Sequence, residues 1–522
     1  MFDTMSLGQK LCAKEFKEME DALRIKLFEM QTALATHKLA MLITLDGVSN
    51  AGRGAVLNLL SGWLDGKHFT NHTFWKLTDA ETERPRDWKY WNKLPSKGDI
   101  AVFFGGWYGK NIRLFAQGDL SEDDLQDRLR EYNGLERTLA DNGYIQLKLW
   151  LHLDKDEHKK RRKAREHENC DFHFTPYEKE NGKKYDALIG SVQKIITATD
   201  APHAPWHIID AHDKHFRNVA IVKAIIVAIE KAIAAKEAIV PDSTQCTLPS
   251  FEDTSRVAIL DRVDLSQTIE KEDYSKKIKA LQNEVSRLSF EAYKEGISTT
   301  LMFEGWDAGG KGGNIRRIMG AVDARITRVI PISSPTSEDL AHHYLWRFWK
   351  HVPMAGNVVI FDRSWYGRVL VERVEGFAHP DEWRRAYTEI NHFEKQVVDN
   401  KHILLKFWLQ ISPDEQLRRF EERQKIAWKN YKITDEDWRN REKTPAYMIA
   451  ADEMFMRTST NYAPWHIIPA ESKYIARIET LTIYRDALRK ALGKDCADKG
   501  PDQSCACLRD VKEMKKGKKS KK

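Results

Sequence analysis

One lysine and two aspartates set around a glycine-rich turn carry the first chemical signal. The run Gly305-Trp-Asp307-Ala-Gly-Gly310-Lys311-Gly312 fits the phosphate-loop pattern G-x-x-x-x-G-K-[ST] except at its last position. Glycines let backbone N–H groups wrap phosphate oxygens, and a helix starting at the loop adds positive potential. Lys311 then sets a point charge against a phosphate. Gly305, Gly310, Gly312, Gly313 and Arg316 complete the candidate phosphate-binding set. Two departures are informative. Gly312 stands where a hydroxyl residue usually helps hold Mg²⁺, and Asp307 lies inside the loop. A carboxylate facing phosphates is repelled unless a cation lies between them. Asp307 therefore reads as a ligand, direct or through water, of one or more Mg²⁺ ions. Asp362, at the end of the next apolar run, supplies a second carboxylate to the same metal region. The bland readings are a glycine-rich turn with a surface lysine, and a helix cap or ion-pair partner at Asp362.

Cations gather around these acids. Asp362-Arg363-Ser364-Trp365-Tyr366-Gly367-Arg368 places two arginines beside the second carboxylate, and arginine forks suit phosphate oxygens. Arg316 and Arg317 follow the loop, and Arg347 lies between Trp346 and Trp349. Arg418, Arg419 and Arg423 recur at helical spacing, followed by Lys425, Lys429 and Lys432. A solvated helix face is the alternative for that last group. If it moves, it becomes a lid over phosphates.

The elements that must position these groups read as alternating strands and helices. Asp273–Lys294 has apolar residues at helical spacing (Ile278, Leu281, Val285, Leu288). Thr299–Phe303, Val358–Phe361, Ile403–Leu409 and Trp465–Ile468 are short apolar runs that read as buried strands. A helix opens at Asn314–Met319, and Pro413–Ile426 and Pro445–Arg457 read as further helices. The alternation predicts an α/β fold with a parallel sheet, whose ligands bind beyond the carboxyl ends of the strands. Gly305 and Asp362 fall at such ends.

The unit is written twice. Gly47-Val-Ser-Asn-Ala-Gly52-Arg53-Gly54 matches the second loop 258 residues earlier. At the same shift Gly106-Trp107-Tyr108-Gly109 matches 364–367, Trp88 and Trp91 match Trp346 and Trp349, and Lys148-Leu-Trp150 matches Lys406-Phe-Trp408. Ala204-Pro-Trp206 matches Ala463-Pro-Trp465 at 259. That period is too long for a solenoid repeat and predicts two tandem domains. Ala235–Asp264, with Pro241 and Pro249, reads as an exposed connection. The expected division is 1–240, a linker over 241–264, 265–492, and a basic tail over 493–522.

Composition bounds the rest. The chain has 522 residues and a net charge of +7. Seven lysines and one glutamate between Lys512 and Lys522 account for nearly all of it, so the body is charge-balanced. That argues against a nucleic-acid partner, and the tail reads as a solvated run. No stretch reaches about 18 uncharged apolar residues, which argues against a membrane span, and Val219–Val240 reads as an amphipathic helix. Met1–Asp21 lacks the apolar core of a secretory signal, so a cytoplasmic location is expected. The six cysteines (12, 170, 246, 496, 505, 507) are too sparse for a disulfide framework, and those at the tail lack the partners of a zinc site.

The residues resemble the family-2 polyphosphate kinases. Gly-Trp-Asp307-Ala-Gly-Gly-Lys311-Gly, Phe-Asp362-Arg363-Ser-Trp-Tyr-Gly-Arg368, Val-Glu372-Arg-Val, Gln416-Leu-Arg-Arg-Phe-Glu-Glu-Arg423 and Ala463-Pro-Trp465 carry the resemblance, tightly over 255–490 and in degenerate form over 10–235. It implies two tandem thymidylate-kinase-like P-loop domains, each with a helical lid, and Mg²⁺-dependent phosphoryl transfer between inorganic polyphosphate and nucleotides. The two-domain form resembles the branch that converts AMP to ADP, and the analogy suggests a homo-oligomer. Asp307 and Asp362 would organise Mg²⁺, and Lys311 would hold the transferring phosphate. Arg363 and Arg368 would bind phosphates near the nucleotide, and Arg423 would belong to the lid. Glu372, Lys432 and Asp437 also match family positions, Glu372 on the nucleotide side. The first half departs from the pattern: Ser49, Arg53, Phe104, Gly105 and Lys110 replace Asp307, Lys311, Asp362, Arg363 and Arg368. Phe104 cannot ligate a cation, so this copy is expected to be catalytically dead. Arg53, Lys110, Arg165 and the Lys159–Lys163 run leave anion holding open. Two rival functions stand: an ATP-dependent nucleoside-monophosphate kinase, and a non-catalytic polyphosphate-binding scaffold.

Overall fold

A computed structural model of the chain describes residues 2, 7–74, 77–167, 184–238, 259–425 and 435–494. Most of the linker, the lysine-rich tail, Lys429, Lys432 and every cysteine except Cys12 lie outside the described residues, as do the side chains of Arg165 and Asp437. The chain forms two compact units, Met1–Ser250 with Ser333–Lys350, and Phe251–Ile332 with His351–Lys522.

The second unit is a five-stranded parallel sheet. In chain order its strands are β6 (Ser298–Gly305), β7 (Thr327–Pro331), β8 (Val358–Asp362), β9 (His402–Gln410) and β10 (Trp465–Pro469). They lie side by side in the order β10-β9-β6-β8-β7. The central strand β6 is buried along nearly its whole length, as expected for a strand covered on both faces. The helices Lys271–Lys294 and Lys473–Ala491 lay Leu281, Val285 and Leu288, and Leu481, Tyr484 and Leu488, into a core shared with Leu301, Phe303, Ile360 and Phe407. The helix Pro380–Val398 buries Trp383, Ile390, Phe393 and Val397.

Several elements go beyond the sequence expectation, among them a strand and a long helix. β7 is an edge strand whose side chains are half-exposed or exposed, so Thr327-Arg-Val-Ile-Pro331 never reads as an apolar run. A proline at its end is tolerated at an edge. The helix Pro380–Val398 has proline in its first turn, where the missing N–H costs nothing. The anticipated helix Pro413–Ile426 is observed over Pro413–Gln424, and the other anticipated strands and helices are present with small changes at their ends.

The first unit repeats the sheet. Its strands β1 (Ala40–Gly47), β2 (Phe69–Thr73), β3 (Ile100–Phe104), β4 (Tyr144–His152) and β5 (Trp206–Asp210) pair in the order β2-β3-β1-β4-β5, all parallel. Register is preserved: Gly47 lies level with Leu151 on β4, as Gly305 does with Leu409 on β9. A buried ion pair is also shared. Lys148 Nζ lies 2.7 Å from Glu136, and Lys406 Nζ lies 2.7 Å from Glu394, with exposures of 0–1%. Among the described residues no helix is long and apolar enough to cross a membrane.

Candidate active site

The site forms where the central strands of the second unit end. β8 stops at Asp362, level with Phe303, so Glu304 and Gly305 project one step further along β6. The chain must then turn sharply. Gly305 adopts φ +125°, and a Cβ there would lie 2.5 Å from the Leu409 carbonyl oxygen. Only glycine combines that backbone with so close an approach. The loop ends at Gly310, φ +106°, which caps the helix Lys311–Met319.

A cavity of about 780 Å³ opens over this helix start, walled by the loop, Gly312, Gly313, Arg316, Asp362, Arg363 and Arg423. Asp307 and Lys311 line both it and a smaller adjoining cavity, which Gly305 and Glu304 also line. Asp307 Oδ1 lies 3.9 Å from Lys311 Nζ and 3.5 Å from Arg363 Nη2. Its other oxygen accepts a 3.0 Å hydrogen bond from Asn440 Nδ2. Burial alone would raise the Asp307 pKa, but Lys311, the Asn440 hydrogen bond, Arg363 and Arg423 outweigh it and hold the carboxyl below its usual range. Asp307 is thus an ionised acid inside a phosphate-type loop. Lys311 is folded back and donates to the carbonyls of Gly305 (2.6 Å) and Trp306 (3.2 Å).

Arg363 follows Asp362 with φ +66°, a left-handed backbone that a non-glycine residue rarely holds. The equivalent position in the first unit is Gly105, φ +80°. The second unit therefore keeps an arginine where the backbone would favour glycine, and such strain concentrates at functional positions. The segment is anchored from beneath. Trp365 Nε1 and Tyr366 OH donate to Glu394 Oε1 at 3.0 and 2.8 Å, and Lys406 Nζ reaches Tyr366 OH at 2.9 Å.

Several anticipated cations are placed differently. Arg419 is buried and donates to the carbonyls of Ala308 (3.0 Å), Ala470 (2.7 Å) and Glu471 (2.9 Å), so it braces the loop from the cavity wall that it helps to line. Arg418 is bound to Glu415 and Glu422. Arg347 belongs to Ser333–Lys350 in the first unit, with Nη2 donating to Ser333 O. Arg368 lines neither cavity. Its guanidinium lies 3.2 Å from Glu372 and 3.7 Å from Glu382.

Other groups of the site lay outside the sequence reading. Glu304 is 7% exposed and accepts a 2.7 Å hydrogen bond from Ser364 Oγ. Burial pushes its pKa up, against the pull of Ser364, Lys311 and Arg363. An acid closing an apolar strand just before the loop glycine was the available signal. Lys473 and Arg477 line the main cavity, from the helix that follows β10. Gln416 Nε2 donates to Asp307 O at 3.1 Å, and Tyr447 lies 3.4 Å from Asn440 Oδ1. No local pattern announces those contacts.

The first unit has the same frame with different contents. Arg53, in the place of Lys311, is buried with its guanidinium 4.9 Å over the Phe104 ring and 3.8 Å from Asp46. Arg217 stands where the second unit has Ala476 on the cavity wall. It packs against Gly52 and donates to Ala51 O at 3.1 Å.

A five-stranded parallel sheet with a glycine loop joining its central strand to a helix defines a P-loop kinase-like α/β protein. The polyphosphate kinase 2 model matches residues 10–237 and again 268–495, and the chain belongs to that family. It is 37% identical over 498 residues to the polyphosphate:AMP phosphotransferase of Pseudomonas syringae pv. tomato, covering 95% of this chain and 99% of that one. It is 35% identical over 486 residues to the enzyme of the same name from Acinetobacter johnsonii, covering 88% and 94%. A solved Pseudomonas aeruginosa PA01 structure assigned to polyphosphate kinase 2 superposes with a TM-score of 0.85 at 35% identity, over 95% of this chain and all of that one.

Proposed function

We propose that this protein is a phosphotransferase that moves the terminal phosphate of inorganic polyphosphate to AMP, giving ADP. The observation that carries the reading is the convergence of Asp307, Lys311, Asp362 and Arg363 on one cavity, in a chain similar over nearly its whole length to polyphosphate:AMP phosphotransferases. The catalytic domain is assigned to 265–492 and the degenerate one to 1–240, with 241–264 as linker and 493–522 as tail.

Mg²⁺ fits the donor set. Three carboxylates line the cavity, Asp307, Asp362 and Glu422, and the last is paired with Arg418, which leaves Asp307 and Asp362 for an ion. An ion that takes one or two carboxylates and completes its shell with water and phosphate oxygens suits such a site. When bound beside Asp307 and Asp362, it would neutralise charge shared by donor and acceptor phosphates.

The protein's own residues supply alignment and charge. Lys311 exchanges the Gly305 and Trp306 carbonyls for a phosphate oxygen of the donor. The loop N–H groups and the helix start hold the donor end, with Arg316 and Arg423 beside it. Arg363 takes charge on the migrating group. Arg368 and Glu372 sit to the nucleotide side. An oxygen of the AMP phosphate attacks the terminal phosphorus in line, the bond to the bridging oxygen breaks, and the shortened chain leaves with that electron pair. The acceptor oxygen is already ionised near neutral pH, so no general base is required.

The test incubates the pure full-length chain with AMP, polyphosphate and Mg²⁺, with ATP as the rival donor, and follows ADP. ADP formed from polyphosphate without ATP is expected. ADP formed only with ATP would establish the nucleoside-monophosphate kinase instead, and none with either donor would leave a scaffold.

A further inference from the structure

We propose that Glu304 and Ser364 are a positioning pair that holds the turn after β8 in the backbone Arg363 needs, so that its guanidinium faces the migrating phosphate. The role given to Arg363 rests on the function proposed above. The pair itself rests on the geometry of the turn and on the difference between the two repeats.

Arg363 holds φ +66°, and a left-handed arginine persists only where its surroundings over-determine it. Its backbone N–H donates to Phe303 O at 3.1 Å, which ties the entry of the turn to β6. The next residue ties the exit. Ser364 is 2% exposed, with an extended backbone at φ −151°. Its hydroxyl donates to Glu304 Oε1 at 2.7 Å and accepts from the Tyr366 N–H at 3.3 Å. Glu304 is the last side chain of β6 before Gly305, and β6 pairs directly with β8. One buried hydroxyl thus joins the central strand to the segment that follows Arg363. Glu304 also lines the smaller cavity together with Asp307, Lys311 and Arg363, so the pair lies next to the groups whose placement it governs. A buried hydrogen bond of this kind is costly to break, because the carboxyl left behind loses its donor without regaining water.

The first repeat separates this pair from the fold. Trp107, Tyr108 and Glu136 anchor its turn as Trp365, Tyr366 and Glu394 anchor the second, so that anchor does not distinguish the repeats. The pair does. At the shift of 258 residues Ser364 becomes Gly106, which has no hydroxyl, and Glu304 becomes Asp46. Asp46 faces Arg53 at 3.8 Å instead, and its Oδ2 has no hydrogen-bond partner among the described residues. Gly106 stands at φ +26° where Ser364 is extended, so the exit of the turn takes another course in the repeat that lacks the hydroxyl. The residue before it is Gly105, φ +80°, which adopts that backbone without strain. The hydroxyl and its acceptor are therefore present where an arginine must be held left-handed, and absent where a glycine needs no holding.

The test measures ADP formation from AMP and polyphosphate by the full-length chain in Ser364→Ala, Arg363→Gly and the two combined, and solves the crystal structure of Ser364→Ala. Ser364→Ala should lower kcat about tenfold and leave the KM for polyphosphate within about twofold, because the phosphate loop and Lys311 are untouched. In the Arg363→Gly background the same change should cost less than about twofold, since no guanidinium remains to be placed. Glu304→Met should match Ser364→Ala, and Glu304→Gln, which keeps an oxygen for the hydroxyl, should lose less. In the Ser364→Ala crystal, Arg363 should leave the left-handed region or carry its guanidinium away from Asp307. An equal fall in kcat in both backgrounds would make the pair a general support of the fold and overturn the proposal. So would an unchanged kcat in Ser364→Ala, or a crystal in which Arg363 keeps its backbone and its place beside Asp307. Failure of the wild type to form ADP would instead overturn the function proposed above, and the variant's crystal structure would still decide the pair.

Discussion

Replacing Asp307 by Asn separates the two things that carboxylate does. The amide keeps the size of the side chain and an oxygen for Asn440, but removes the charge that faces Lys311 at 3.9 Å and Arg363 at 3.5 Å. With Asp307 and Lys311 both mostly buried, a pair near 4 Å corresponds to roughly 4 kcal/mol at an effective dielectric of about 20. Arg363 is 47% exposed, so its share is at most about 1 kcal/mol. Both cations lose an internal counter-charge in Asp307→Asn. Each then meets an incoming phosphate chain with less to give up, and the KM for polyphosphate should stay level or fall. The catalytic step should move the other way. Losing one of the two carboxylates proposed to hold Mg²⁺ would withdraw several kcal/mol of charge stabilisation, and about 3–5 kcal/mol is roughly 10²–10⁴ in kcat. Steady-state ADP formation, with polyphosphate and AMP varied in turn and Mg²⁺ saturating, resolves the two effects. A kcat within about threefold of wild type would refute the metal assignment. So would a raised KM for polyphosphate at unchanged kcat, which would reduce Asp307 to a strut of the loop.

Gly305→Ala should lose about 3 kcal/mol or more of second-unit stability together with activity, because its Cβ meets the Leu409 carbonyl at 2.5 Å on a φ of +125°; a wild-type melting curve would contradict that. In the first unit, burial pushes Asp46 up to about 6, with Arg53 and the Gly47 N–H pulling it back. The folded chain then keeps a proton that the unfolded chain releases near pH 4. The stability this contributes is present below about pH 4 and is lost as pH rises through 6. Asp46→Asn should flatten the melting temperature between pH 4 and 6 and stabilise the first unit at pH 7 by up to about 3 kcal/mol, less whatever Arg53 loses; parallel pH profiles for variant and wild type would reject it.

How much could be read from the sequence depended on how local the signal was. The phosphate loop, the strand ends at Gly305 and Asp362, and the duplication are contiguous patterns, and each is present in the structure. β7 escaped because Arg328 and Pro331 break its apolar run at an edge where burial asks little. Arg419 and Arg423 both line the cavity, yet Arg419 has its donors engaged by the carbonyls of Ala308, Ala470 and Glu471. Helical periodicity states which residues share a face, not whether a neighbouring backbone takes up their donors. Asn440 and Gln416 reach Asp307 across more than 100 residues, and only the packed chain brings them there.

The duplication also separates fold from chemistry within one molecule. Glu136, Lys148, Trp107 and Tyr108 form a buried network, and Glu394, Lys406, Trp365 and Tyr366 form it again with nearly the same distances. A network retained in a repeat that lacks counterparts of Asp307, Asp362 and Arg363 does not depend on those residues. It holds the turn after β3 and β8 in place, whatever that turn then carries. The left-handed residue in that turn is glycine in one repeat and arginine in the other. Because the frame beneath is common, the strain at Arg363 is not imposed by the fold, which accommodates glycine there without it. It is a cost of placing a guanidinium 3.5 Å from Asp307, and that cost accompanies the two carboxylates in the second repeat and is missing, with them, from the first.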